Sequence, residues 1–214
     1  DEIRSDLAEV LDNKSLTSDE NRPDAVSRRR KTNQRTAREN IENLVDPGSF
    51  IEYGPLVVAA QRQRRGLEDL LTRSPADGLI TGVGKINGEL FDETAAGAAI
   101  MAYDYTVFAG TQGVHNHWKT DRLLDISEQG RMPMIVFAEG GGGRPGDTDY
   151  GGFVGQNTFH HFGQLSGLVP LISIVSGRCF AGNAALLGCC DVIIATKDSN
   201  IGMGGPAMVE GGGL

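Results

Sequence analysis

Apolar positions recur with two periods along this chain, helical in the first 45 residues and alternating between strand-like and helical from there on. Ile3, Leu7, Val10 and Leu11 mark a short amphipathic helix over residues 1–13, with acidic residues at its beginning where they favour the helix dipole. The polar run 18–23, ending in Pro23, breaks it. A second helix is expected from Asp24 through the arginines to Leu44 or Val45, stopped by Asp46-Pro47-Gly48. Residues 50–60 are rich in β formers, and 78–102 reads as strands around an Asn87-Gly88 turn, a pair that tolerates the positive φ of a tight hairpin. Leu123, Leu124 and Ile126 predict a helix over 119–129 with Gly130 as its C-terminal cap.

Short apolar runs at 134–138, 171–175 and 192–195 then alternate with helical patterns at 153–165 and 184–190. Strand, helix, strand, helix, strand is the signature of βαβ units, hence of a parallel sheet covered by helices. With 214 residues, 39% of them apolar, the chain has material for one substantial core. The expected division is an N-terminal helical arm, 1–45, and an α/β body, 46–214. The start at Asp1 and the stop inside a glycine run suggest a piece of a longer polypeptide, incomplete at its C-terminal end.

Charge narrows the partners. A net charge of −8 argues against general nucleic-acid affinity, which needs clustered Lys and Arg to release counterions from phosphates. Local basic patches occur at Arg28, Arg29, Arg30, Lys31, Arg35 and Arg38, and at Arg62, Arg64 and Arg65. The first is read as a solvated helical face. No apolar run has the length of a membrane span, and Cys179, Cys189 and Cys190 lack disulfide or zinc spacing, so a reducing cytoplasmic setting is expected. The pairs His115/His117 and His160/His161 have no matching carboxylates or thiols and are read as polar or capping residues, with no metal site.

The candidate chemistry lies in the turns after the apolar strands, because ligands of open parallel sheets sit beyond the strands' carboxyl ends, where backbone N–H groups are exposed. Two glycine-rich loops fall there: Glu139-Gly140-Gly141-Gly142-Gly143-Arg144 and Gly177-Arg178-Cys179-Phe180-Ala181-Gly182-Asn183. Neither matches a nucleotide-phosphate loop. Cys179 is read as packing, and Glu139 as a structural acceptor for the loop amides. Asp147 and Asp149 complete an acidic cluster in which no general base is assigned.

The second loop with the run that follows it, through Gly188-Cys189-Cys190-Asp191-Val192-Ile193-Ile194-Ala195, resembles the oxyanion turn, helix and strand of the crotonase superfamily. Asp46-Pro47-Gly48-Ser49-Phe50, Gly78-Leu79-Ile80-Thr81-Gly82, residues 104–111, the loop 139–144 and Ser166-Gly167 with Pro170 are similar, in order, to landmarks of the carboxyltransferase β subunits of biotin-dependent acyl-CoA carboxylases. The resemblance implies a crotonase-type ββα spiral with helices packed around the sheet, and a domain 46–214 matching the N-terminal half of that protein. It implies catalytic roles for Gly182 and Asn183 at the oxyanion turn, and substrate contacts from Gly141, Gly142, Gly143, Arg144 and Ala181. Asn183 stands where those enzymes have a second glycine, and Ala185 where hydratases carry glutamate, which speaks against water addition.

On this resemblance the substrate is a coenzyme A thioester, and biotin is carried on another domain or subunit. The implied partners are biotin carboxylase and biotin carboxyl carrier components, the C-terminal carboxyltransferase half, and further copies of the chain. An isolated chain is then inactive. The alternatives are a CoA-thioester decarboxylase or other crotonase-type enzyme, and a non-catalytic CoA-binding scaffold.

Overall fold

The computed structural model describes residues 3–92, 94–150 and 157–212. Three helices come first, α1 (Ser5–Ser15), α2 (Pro23–Lys31) and α3 (Ala37–Leu44). The single helix expected over 24–45 is thus two. Asn33 turns the chain with a left-handed backbone (φ 55°), and Thr36 opens α3 with a capping box, in which its hydroxyl accepts from the Glu39 amide and the Glu39 carboxylate accepts from its own. α1 buries none of its residues, whereas α3 buries Ala37 and Ile41 against the sheet.

Strands β1 (Ile51–Tyr53), β2 (Leu79–Lys85) and β3 (Gly97–Tyr103) pair antiparallel, with helix α4 (Leu67–Arg73) between the first two. Only three residues of the β-rich stretch 50–60 form a strand, because Gly54 turns the chain out at φ 64°. The β2–β3 connection is a long loop and not the tight hairpin expected. The strands pair from Leu79↔Tyr103 to Lys85↔Gly97, and Asn87-Gly88 opens the loop, its two amides held by the Asp46 carboxylate at 3.1 and 2.7 Å.

From β3 onward each step is parallel. Helix α5 (Val114–Gly130) leads to β4 (Met134–Phe137), and α6 (Thr158–Gln164) to β5 (Leu171–Val175). After β5 come β6 (Arg178–Phe180), α7 (Gly182–Gly188) and β7 (Val192–Ala195), then β8 (Asn200–Gly202) and α8 (Pro206–Gly211). The main sheet runs β1-β2-β3-β4-β5-β7, while β6 and β8 form a separate parallel pair. The helix expected from Phe153 begins at Thr158 in the described residues, since 151–156 lie outside them. α5 starts five residues earlier than the pattern suggested, and its cap is Arg131 (φ 50°), not Gly130.

Alternation along β3 divides the core. Ala99, Met101 and Tyr103 face Leu123, Leu124, Phe162 and Leu186 on one side, while Ala98, Ile100 and Ala102 face Ala37 and Ile41 on the other. Burial on both faces explains the near-continuous apolar runs of β4 and β5. At the sheet edge β7 leaves Val192, Ile193 and Ile194 46–53% exposed. Among the described residues no helix is long and apolar enough to cross a membrane.

Lys119 is a buried cation on α5. Its ammonium donates to the carbonyls of Ala76 (2.8 Å) and Leu79, and burial pushes its pKa down from 10.5 to about 8. The folded state therefore loses this proton before the unfolded state does, so the Lys119 contribution to stability rises between about pH 8 and 10.5. Denaturant titrations should show the wild type gaining on Lys119→Met across that window. Parallel curves would show that folding does not perturb the group.

Candidate active site

The two glycine loops meet at one corner, at the carboxyl ends of β4 and β5. Gly140 joins them, its amide donating to the Arg178 carbonyl and its carbonyl accepting from the Phe180 amide, both at 2.8 Å. A Cβ at Gly140 would run into the Asn183 side chain and the Gly110 carbonyl, so only glycine fits there. Gly142 takes φ +87°, and a Cβ on it would stand 2.6 Å from Ala181 Cβ and 3.5 Å from the Gly182 nitrogen. The loops are in van der Waals contact at this point. Ala181 is itself in a rarely populated conformation (φ 50°, ψ −118°), which directs the chain from β6 into α7.

Asn183 locks the corner. Fully buried, it accepts the Gly142 amide on Oδ1 (3.0 Å) and donates from Nδ2 to the Gly110 carbonyl (3.3 Å). Its backbone lies within α7 at ordinary helical φ, so the position makes no demand for a second glycine. The Gly141 amide goes to the Ala109 carbonyl, at 3.0 Å. Among the described residues the amides of Gly143 and Gly182 have no protein acceptor. The amides of Asn183 and Ala184, in the first turn of α7, likewise have no acceptor among the described residues, so the corner offers several donors to a ligand oxygen.

Gln112 closes the same corner, although nothing in its local sequence singles it out. Its amide donates to the Gly142 carbonyl (2.7 Å), its carbonyl accepts from Arg144 (2.8 Å), and its Nε2 donates to the Tyr103 hydroxyl (3.1 Å). Its Oε1 occupies the space that a side chain on Gly182 would need, with Phe159 Cζ 3.2 Å from the same point.

The charged residues serve as struts. Arg144, expected to touch substrate, has a side chain 2% exposed, paired with Asp77, and donates to the carbonyls of Asp77 (3.0 Å) and Thr111 (2.9 Å). Its guanidinium is engaged within the protein, which makes it an anchor for the glycine loop. Glu139 does not bond the loop amides. Its carboxylate accepts from Arg29 Nη2 and from the Ser176 hydroxyl, each at 2.6 Å, with both ion-pair partners 7% exposed. Arg29 therefore departs from the solvated face expected for 28–30, whereas Arg30 pairs on the surface with Glu39. Asp147 accepts from the Val114 amide (3.1 Å) and Gln61 Nε2 (3.0 Å), and Asp149 from the amides of Arg62 (2.8 Å) and Gln63 (2.9 Å).

No nucleophile emerges at the corner. Burial pushes the Cys179 thiol up to about 12, so it stays protonated at neutral pH. Burial also lowers the His117 pKa, and its Nδ1 lies 3.0 Å from the Thr158 hydroxyl. Among the described residues no three potential ligands gather for a metal ion. What the corner offers is fixed backbone donors, at Gly143 and in the first turn of α7, an arrangement suited to an oxygen that gains negative charge.

Comparison with known proteins gives the family. The carboxyl transferase domain matches residues 28–211. The chain is 32% identical over 194 residues to the biotin-dependent long chain acyl-coenzyme A carboxylase beta4 subunit of Mycobacterium tuberculosis, covering 90% of this chain and 34% of that protein. It is 30% identical over 191 residues to the methylmalonyl-CoA carboxyltransferase 12S subunit of Propionibacterium freudenreichii subsp. shermanii, covering 86% and 33%. The chain thus spans about a third of the length of these relatives. Among solved structures, a single-chain, multi-domain long-chain acyl-CoA carboxylase superposes with TM-score 0.92 at 59% identity, over 100% of this chain and 21% of that one. Transcarboxylase 12S, described as a hexamer assembly with hydrolyzed methylmalonyl-coenzyme A bound, superposes with TM-score 0.77 at 25% identity, over 96% and 38%. The architecture is the crotonase-type α/β fold.

Proposed function

Since this chain belongs to the carboxyl transferase domain family, we propose that it forms the acyl-CoA-binding half of the carboxyltransferase of a biotin-dependent acyl-CoA carboxylase. The observation that carries this reading is the pair of unengaged amides at Gly143 and Gly182, brought to one corner by the Asn183 side chain. Removing a proton α to a thioester puts charge on the carbonyl oxygen. Fixed N–H donors stabilise that charge without reorganising, at about 3 kcal/mol per donor. Gly182 and Gly143 donate to the thioester oxygen, and Gly141, Gly142 and Ala181 shape the surface beside it. Asn183 and Arg144 act behind them as positioning residues. Carboxybiotin, carried on another domain or subunit, would supply the carboxyl group to the α carbon, and the biotin left behind would take up the α proton.

On this reading residues 1–45 are an arm and 46–214 the acyl-CoA half, tied together by the Arg29–Glu139 pair. The other half of the site, with the biotin carboxylase and carrier components, lies on other domains or subunits. The exposed apolar strand β7 supports a covering partner on that side. Calorimetry with an acyl-CoA and carboxylation assays with carboxybiotin, both on residues 1–214, test the division of labour. Thioester binding without turnover is the expected result. Turnover by this chain alone would overturn the half-site reading, and absence of thioester binding would overturn the acyl-CoA assignment.

A further inference from the structure

A second cavity, of about 460 Å³, lies on the other side of α5 from the oxyanion corner. His117 turns toward Thr158 and Phe159, and so toward Gly182. His115, Trp118, Lys119 and Arg122 instead line the second cavity, opposite Tyr53 and the turn at Val57 and Val58. Its size is that of a small-ligand pocket.

The lining sorts by chemistry. Tyr53, Val57, Val58, Trp118 and Leu123 make an apolar wall, while Arg62, Arg122 and Lys119 bring three cations and no lining residue is a carboxylate. Among the described residues no carboxylate lies within ion-pair distance of any of the three, and the Arg62 and Arg122 guanidiniums have no hydrogen-bond acceptor. Lys119 is 8% exposed, its ammonium held by the carbonyls of Ala76 and Leu79 and its charge offset by the nearby Glu52 and Asp77 carboxylates, so the open positive charge of the cleft is that of Arg62 and Arg122. An anion is the complement of two open guanidiniums, and a monoanion with an apolar body also removes the exposed wall from water. The Trp118 ring, steadied by His115 (5.0 Å) and Tyr150 (5.1 Å), joins the aliphatic surface of Val57, Val58 and Leu123 as the wall for that body.

We propose that this cleft binds a medium-chain alkyl carboxylate, its chain against Val57, Trp118 and Leu123 and its carboxylate on Arg62 and Arg122. The site is separate from the oxyanion corner and does not depend on the function proposed for it.

Trp118 is the single tryptophan of the chain and 47% exposed, so its emission reports occupancy directly. The experiment titrates residues 1–214 with decanoate below its micellar range, alongside decanol and decyltrimethylammonium. A saturable change in Trp118 emission is expected, with decanoate binding at least about tenfold tighter than decanol and the cationic amphiphile not binding, on the order of one charge-assisted contact. The double variant R62Q/R122Q should weaken decanoate about tenfold and leave decanol unchanged, with its melting temperature unaltered. Val57→Phe, which fills the cleft without touching the cations, should weaken both. Equal binding of the anionic and cationic probes, no saturable change, or a change that follows protein concentration and so reports a second copy over the cleft would each overturn the proposal.

Discussion

Gly182→Val is expected to lower kcat/KM by at least about a hundredfold in the carboxyltransferase assembled around this chain, the scale of losing one oxyanion donor. Its added side chain enters space held by Gln112 Oε1 and comes within 3.2 Å of Phe159 Cζ. Gln112 cannot simply swing aside, because its Nε2 is held by Tyr103 and its backbone by Gly142 and Arg144. The turn must shift, and the Gly182 amide with it. The backbone at Gly182 has ordinary φ, so the fold should survive the change. Kinetics and thermal unfolding measured together separate the two effects. Activity within a few fold of wild type at an unchanged melting temperature would mean that this amide is not an oxyanion donor.

Arg29→Met should cost about 3–5 kcal/mol of stability, since it leaves the Glu139 carboxylate buried without its cation. Arg29 also donates to the Arg35 carbonyl (3.0 Å) and to Gln34 Oε1 (2.7 Å), so the same change loosens the turn between α2 and α3. The double variant Arg29→Met/Glu139→Gln should recover part of the loss, because much of the penalty is the orphaned charge. Replacing Arg28 or Arg30, both exposed, should leave the denaturation midpoint in place. An Arg29→Met midpoint indistinguishable from wild type would show that the arm is not anchored through this pair.

The parallel half of the fold was legible because it repeats a local rule. The strands at 134–137, 171–175 and 192–195 stand within a residue of the apolar runs: β4 and β5 are near-continuously apolar because helices cover both faces of the sheet there, while β7 keeps the same pattern with its side chains exposed at the sheet edge. The antiparallel half was harder to read. Asn87-Gly88 has the chemistry of a hairpin turn, but the tertiary contact with Asp46 uses it to open a longer loop. The break between α2 and α3 hides in a run of good helix formers, where Asn33 and the Thr36 cap decide against continuity.

The candidate corner divides along the same line. The glycines and Asn183 were recognisable from the sequence, since their spacing and order match a family's turn and backbone donors need no particular side chain to be located. The partners of the polar side chains depend on contacts between residues far apart in the chain. Arg29 meets Glu139 across 110 residues and Arg144 meets Asp77 across 67, which turns an expected surface arginine and an expected ligand contact into buried struts. Sequence by itself determined the sheet's parallel strands, the glycine turns and the family, because each is written in neighbouring residues. Only the tertiary structure decided which amides stay unengaged and which charges are neutralised, because burial and long-range pairing set the energy of a polar group.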